Sequence, residues 1–233
     1  MEQLHKILST DAGLTILLAS LSTVLFVIYP FVPLSPTGRL VVSASLTIVL
    51  VSGAFTLSDR PRLKRFVVGL GGLGLLTQWL SNATHQPGIL IASYATTLCF
   101  LALTAAGVLA KAMRPGRITS HRIQGAIAVF LLLGLIWGYG YALIELVHPG
   151  SFHLPEDAPS SSVPPRGDER IGDLVYFSFV TLTTLGYGDI TPISSTSRTL
   201  ALLEALVGQL YLVILIARLV SLQIADADAG TET

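Results

Sequence analysis

The sequence predicts an all-α membrane protein in which six transmembrane helices carry a re-entrant helix and an extended ribbon between the fifth and the sixth. Three observations predict it. Of the 233 residues, 52% are apolar and only 12% charged, where an ordinary soluble domain carries about a quarter charged residues. Six apolar stretches approach the length that crosses a bilayer. Between the last two lies a proline-rich polar segment followed by an apolar run too short to cross. The 14 basic and 14 acidic residues cancel, and no basic block or aromatic-basic interleaving points to nucleic acid. The single cysteine, Cys99, lies inside an apolar run and is read as a small buried residue, so no disulfide or cysteine metal site is expected.

A helix needs about twenty apolar residues to cross a hydrocarbon core roughly 30 Å thick. The candidate spans are 14–31, 40–57, 66–80, 89–110, 123–147 and 199–223, the third being the shortest. The first follows Met1-Glu2-Gln3-Leu4-His5-Lys6 and leads to Pro30 and Pro33 rather than to a small-residue cleavage site, so it is expected to remain as a helix. Basic residues gather on alternate short loops: Arg60, Arg62, Lys64 and Arg65 after span two, and Lys111, Arg114, Arg117 and Arg122 after span four. The positive-inside rule makes those loops and both termini cytoplasmic, in a multi-pass protein of the plasma (cell inner) membrane. The segment between spans five and six is then outside.

That outer segment starts at His148, and Pro155, Pro159, Pro164 and Pro165 exclude a regular helix or central strand, which leaves a solvated loop. His148 and His153 with Glu156 and Asp157 are a candidate metal or pH-sensing group, set against a plain solvated loop. Asp173 offers a side-chain N-cap, and Leu174 to Thr183 reads as a helix of about ten residues. Too short to span, it dips in and returns. Unpaired carbonyls at its C-terminal end, carrying roughly half a negative charge, would steady a cation.

Thr183-Thr184-Leu185-Gly186-Tyr187-Gly188-Asp189 follows. It reads as an ion selectivity filter. Gly186 and Gly188 lack a Cβ and reach backbone angles closed to other residues, so the ribbon from Thr184 to Gly188 can run extended with its carbonyls turned inward. Four chains then supply rings of oxygens that replace the water around a potassium ion. Thr184 adds a hydroxyl ring at the inner end, Tyr187 wedges outward, and Asp189 raises the cation concentration at the outer mouth or caps the exit turn before Pro192.

These residues resemble the pore of the potassium-channel family, prokaryotic type, whose signature is Thr-x-Gly-Tyr-Gly. Leu185 stands at x, where Val is usual, and the resemblance covers about 122–224. It implies a homotetramer, three identical subunits joining each chain, with membrane lipid around them. It implies K+ bound at Thr184, Leu185, Gly186 and Tyr187. K+ is the permeant ion, and no organic cofactor is expected. Gly208 lies 24 residues beyond Thr184, where the family commonly has a glycine in its inner helix, so it is read as a gating hinge or a packing glycine. By the same offset Gln209, Leu212, Ile216 and Val220 would line the cavity and inner gate. Glu145 resembles the acid that some members use to brace the outer pore, with an ordinary interfacial glutamate as the alternative.

Glu204 lies inside span six. An acid there costs a few kcal/mol unless protonated or paired. Four residues before Gly208, it should face the short helix behind the filter and accept from hydroxyls such as Thr181 or Thr183, as a buttress or a pH-responsive element. In span three, Gly69-Leu70-Gly71-Gly72-Leu73-Gly74 matches a dinucleotide fingerprint but lies in an apolar run with no preceding strand. Close helix packing accounts for it, as for Gly134 and Gly138 in span five.

In voltage-gated relatives the fourth helix bears a cation every third residue, because each charge moving through the field gains about 2.3 kcal/mol per 100 mV. Span four has no charge from Ile89 until Lys111. The layout is therefore 1–117, a four-helix sensor-like bundle without gating charges; 118–224, the pore unit; and 225–233, a polar cytoplasmic tail expected to be too short for a soluble regulatory domain. The expected activity is passive, weakly voltage-dependent potassium conduction and no enzymatic chemistry. The alternatives are a nonselective cation channel, a nonconducting modulatory subunit, and a transporter with a re-entrant loop.

Overall fold

The computed structural model describes residues 2–28, 41, 44–45, 47–53, 61–84, 86–113, 120–154 and 171–231. Helix α1 (Glu2–Thr23) continues into one π-helical turn, Val24–Ile28. After helical residues at 47–53 come α2 (Pro61–Thr84), α3 (Pro87–Ala112), α4 (Ser120–Val147), α5 (Ile171–Leu182) and α6 (Ser195–Thr231). Two short strands, β1 (Phe152–His153) and β2 (Thr191–Pro192), pair antiparallel.

Among the described residues, three helices are long and apolar enough to cross a membrane: Pro87–Ala112, His121–Val147 and Ser195–Arg218. They coincide with the fourth, fifth and sixth spans. The apolar part of α1 is the shorter run Gly13–Ile28. Span two lies largely outside the described residues. The predicted third span is one continuous 24-residue helix that opens on Pro61, the first-turn position where a missing N–H costs nothing, but it is not among the helices apolar enough to cross.

Packing runs from α2 to α3, from α3 to α4, and from α4 to both α1 and α5, with α5 then lying on α6. Buried positions on α3 recur at Ser93, Tyr94, Thr97, Phe100, Leu101, Thr104, Ala105 and Val108, the three- and four-residue steps of one helical face. Phe100 fills a notch against α2, where a Cβ on Gly71 would stand 3.1 Å from its ring. Tyr94 meets Tyr139 of α4 edge to face at 5.4 Å. Cys99 belongs to the opposite, outward face and is exposed. The expectation of a buried cysteine is corrected: an apolar run of bilayer length does not reveal which face meets protein. The glycine-rich stretch of α2 is helical throughout, so it forms no phosphate loop.

Candidate functional site

The site is built around α5, which is gripped from two sides. On α4, a Cβ at Gly134 would lie 2.3 Å from the Phe179 ring, and one at Gly138 would lie 2.9 Å from the Val175 backbone. Spaced by four, these two glycines make one trough. On α6, a Cβ at Gly208 would lie 2.4 Å from the carbonyl oxygen of Leu182. Gly208 therefore packs closely on the end of α5. Aromatic rings complete the seat, where Tyr141, Phe152 and Phe177 meet pairwise edge to face at 5.2–5.4 Å.

Helix α5 starts at Ile171, so Asp173 is not the N-cap. It sits in the first turn, where its charge suits the positive end of the helix dipole. At the other end, the expectation of unpaired carbonyls is narrowed, because the carbonyls of Phe179, Val180 and Thr181 all find amide partners. The amide of Leu185 donates to Val180 O at 2.9 Å, and that of Thr184 donates to Thr181 O at 2.9 Å. This 6→1 and 5→2 pair is a Schellman motif. It consumes carbonyls as it turns the chain, and Thr183 N adds a bond to Phe179 O. The motif calls for a left-handed residue at the position Thr184 occupies, and its φ is +59°. A side chain in that region costs about 1–2 kcal/mol, and glycine usually fills it.

Gly186 and Gly188 follow with φ of +61° and +77°. Positive φ thus recurs at every second residue of Thr184-Leu185-Gly186-Tyr187-Gly188, and no other described non-glycine residue has it. In an ordinary strand successive carbonyls point to opposite sides. Alternating handedness swings every second peptide plane, so that like groups gather on one side. The ribbon is open on its own chain: Leu185 is 58% and Tyr187 68% exposed. Among the described residues nothing covers Tyr187 as a wedge would.

Asp189 is exposed and bonded to the Tyr176 hydroxyl of α5. That hydrogen bond, more than slight burial or the nearby negative charge, holds the Tyr176 phenol above the ordinary tyrosine range. The exit turn is braced as well. Phe152 pairs with Pro192 and His153 with Thr191, while Ile193 N donates to Ser151 O at 2.8 Å. Glu145 accepts from Gly150 N at 2.8 Å and Phe152 N at 3.2 Å, tying the end of α4 to this ladder. Ser194 caps α6 through its Oγ, which accepts from Ser197 N at 3.1 Å. His148 and His153 are exposed, Glu156 and Asp157 lie outside the described residues, and among the described residues no group of three or more His, Cys, Asp or Glu is placed to hold a metal.

Glu204 is fully buried and faces α5 as expected, but its partners are Ser178 and Tyr141, each at 2.5 Å. Thr181 and Thr183 are not among them, and Thr183 Oγ1 donates instead to Phe179 O. The reason is register. α5 and α6 run in the same direction here, so one turn back from the contact of Gly208 with Leu182 lies Ser178. Sequence reasoning missed Ser178 and Tyr141, whose only signal was a hydroxyl at the right helical step. Gln209, Leu212, Ile216 and Val220 lie on surface that the chain leaves open, but so do Leu206, Leu210, Val213 and Ile214. Toward α4, Tyr211 donates to Ala126 O at 2.7 Å, and Arg218 donates to Met113 O beyond the end of α3.

Residues 128–224 match the family model described as ion channel. This segment is similar to an ion channel domain. It contains α5, the ribbon and the membrane-crossing part of α6, together with most of α4. Protein LctB of Geobacillus stearothermophilus is 33% identical over 82 residues, covering 35% of this chain and 60% of that protein. Protein LctB of Bacillus caldotenax is 32% identical over 81 residues with the same coverage. The chain thus spans about 60% of the length of the curated relatives it matches. No solved structure matches. The match of this segment is to a channel family, not to a class of enzymes.

Proposed function

We propose that four copies of this chain form a potassium-selective channel in the cell membrane, with Thr184, Leu185, Gly186, Tyr187 and Gly188 as its filter. The observation that carries the reading is the alternation of positive φ through Thr184, Gly186 and Gly188, in a ribbon that hangs from a short helix inside the segment similar to an ion channel domain. Fourfold repetition of such a ribbon makes stacked rings of carbonyl oxygens that stand in for a potassium ion's hydration shell. The hydroxyl of Thr184 adds the innermost ring. That accounts for a threonine held where a glycine would be easier.

Tyr187, open on its own chain, packs against the neighbouring subunit and fixes the ring diameter. Asp189, held by Tyr176, places four carboxylates at the outer mouth and concentrates cations there. Gln209, Leu212, Ile216 and Val220 line the cavity and inner entrance. The first four helices form a sensor-like bundle without gating charges, with both termini cytoplasmic.

Purified protein in liposomes tests this. The expected result is a barium-sensitive potassium current in unitary steps, with a reversal potential that follows the potassium gradient in mixed potassium and sodium, and its loss in Gly186→Ala. A reversal potential indifferent to the two ions would instead mark a nonselective cation channel. Saturable flux without unitary steps would mark a transporter, and no flux from a folded tetramer would mark a modulatory subunit.

A further inference from the structure

Glu204, Tyr141 and Ser178 are all fully buried, and three oxygen-to-oxygen contacts join them to the backbone of α4. Tyr141 Oη lies 2.5 Å from Glu204 Oε2. Ser178 Oγ lies 2.5 Å from Glu204 Oε1 and 2.7 Å from Gly134 O. Each contact this short needs a hydrogen between its oxygens, because two facing lone pairs repel. Tyr141 brings one hydrogen and Ser178 brings one, while the carbonyl of Gly134 brings none. Three contacts therefore need a third hydrogen, and Glu204 is the group able to carry it.

We propose that Glu204 is a neutral carboxylic acid whose proton completes a closed hydrogen-bond chain, making it the residue that positions the filter-bearing helix α5. The chain runs in one direction. Tyr141 O–H donates to Glu204 Oε2, Glu204 Oε1–H donates to Ser178 Oγ, and Ser178 O–H donates to Gly134 O. It starts and ends on α4, seven residues apart and hence on one face, and passes through α6 and α5 on the way. Three helices are locked by one proton.

The surroundings favour the neutral form. A buried carboxylate needs a cation or several donors to offset its lost hydration. Tyr141 from α4 is the titratable group bonded to Glu204, α5 presents Ser178, and no Lys, Arg or His among the described residues bonds to it. When rising pH strips the proton to an external base, Ser178 has one hydrogen for two acceptors. A carboxylate outbids a carbonyl for it. The bond to Gly134 is lost, and with it the tie between α5 and α4.

The test compares the full-length protein with Glu204→Gln and Glu204→Ala. Gln donates an N–H to Ser178 and accepts from Tyr141, so it reproduces the neutral acid's pattern and cannot titrate. Infrared difference spectra of the purified protein between neutral and alkaline pH should show a carboxylic-acid carbonyl band that disappears at high pH and is missing in Glu204→Gln. Thermal stability should fall with rising pH in the native protein and stay flat in Glu204→Gln. If the proposed potassium conduction holds, Glu204→Gln keeps flux within about twofold of native at neutral pH and loses the alkaline decline, while Glu204→Ala drops it by about tenfold or more. A missing carbonyl band, or a Glu204→Gln protein as damaged as Glu204→Ala, overturns the proposal by showing that a charged carboxylate is required. Absence of flux in the native protein would overturn the channel reading alone, because the spectra and melting curves judge the proton without it.

Discussion

Thr184 is where backbone and side chain ask for different things. Its backbone is the left-handed residue of the motif that ends α5, a position that suits glycine. Its hydroxyl is what the proposed filter uses. Substitution Thr184→Gly separates the two. Relief of about 1–2 kcal/mol of steric cost is offset by the greater freedom glycine has in the unfolded chain, so the melting temperature should move little. Potassium flux should fall sharply, because the inner hydroxyl ring is gone. A variant that melts as the native protein does and still conducts normally would show that the residue serves the turn alone. Glu204 shows the same economy: buried among hydroxyls, one acid closes three contacts with a single proton.

At the level of elements, α5 is set by contacts that leave no room for a methyl group. The trough of Gly134 and Gly138 takes Phe179 and Val175, and Gly208 takes the Leu182 carbonyl two residues before the proposed filter. Glycine at these positions is a matter of close approach. Alanine at 208 would push its Cβ to 2.4 Å from that oxygen, so α5 and α6 must separate. Gly208→Ala should cost about 1–3 kcal/mol in stability and reduce unitary conductance, because the displaced carbonyl adjoins the proposed ion path. Were Gly208 only a hinge, the same substitution would change open probability and leave conductance and melting untouched. Single-channel recording with a melting curve distinguishes the two.

Over the whole molecule, the peripheral helices and the segment similar to an ion channel domain meet along the face of α4 that packs on α3 and α1. Arg218 makes a second link by bonding Met113 O beyond the end of α3. Helix α3 carries no charged residue between Ile89 and Ala110, so it has nothing for the field to pull at about 2.3 kcal/mol per charge per 100 mV. A conductance-voltage curve measured on the reconstituted tetramer should be shallow. A steep curve requiring several gating charges would refute the assignment of this bundle as voltage-insensitive.

The amino-acid order by itself determined the membrane class, the three crossing helices that flank and precede the site, the short helix between two of them, and the ribbon from Thr184 to Gly188. Those features are written in local quantities: hydropathy over a bilayer's thickness, proline and glycine placement, and a five-residue pattern. Only the tertiary structure decided which face of each helix meets protein. It turned Cys99 outward, moved Asp173 inside the first turn of α5, paired the Val180 and Thr181 carbonyls near that helix's end, and gave Glu204 the partners Ser178 and Tyr141 in place of Thr181 and Thr183. Those outcomes depend on helix rotation and register to within one residue, which is about 100° around a helix of 3.6 residues per turn. Apolar runs that are hydrophobic on every side leave that angle unspecified until the neighbouring helices pack.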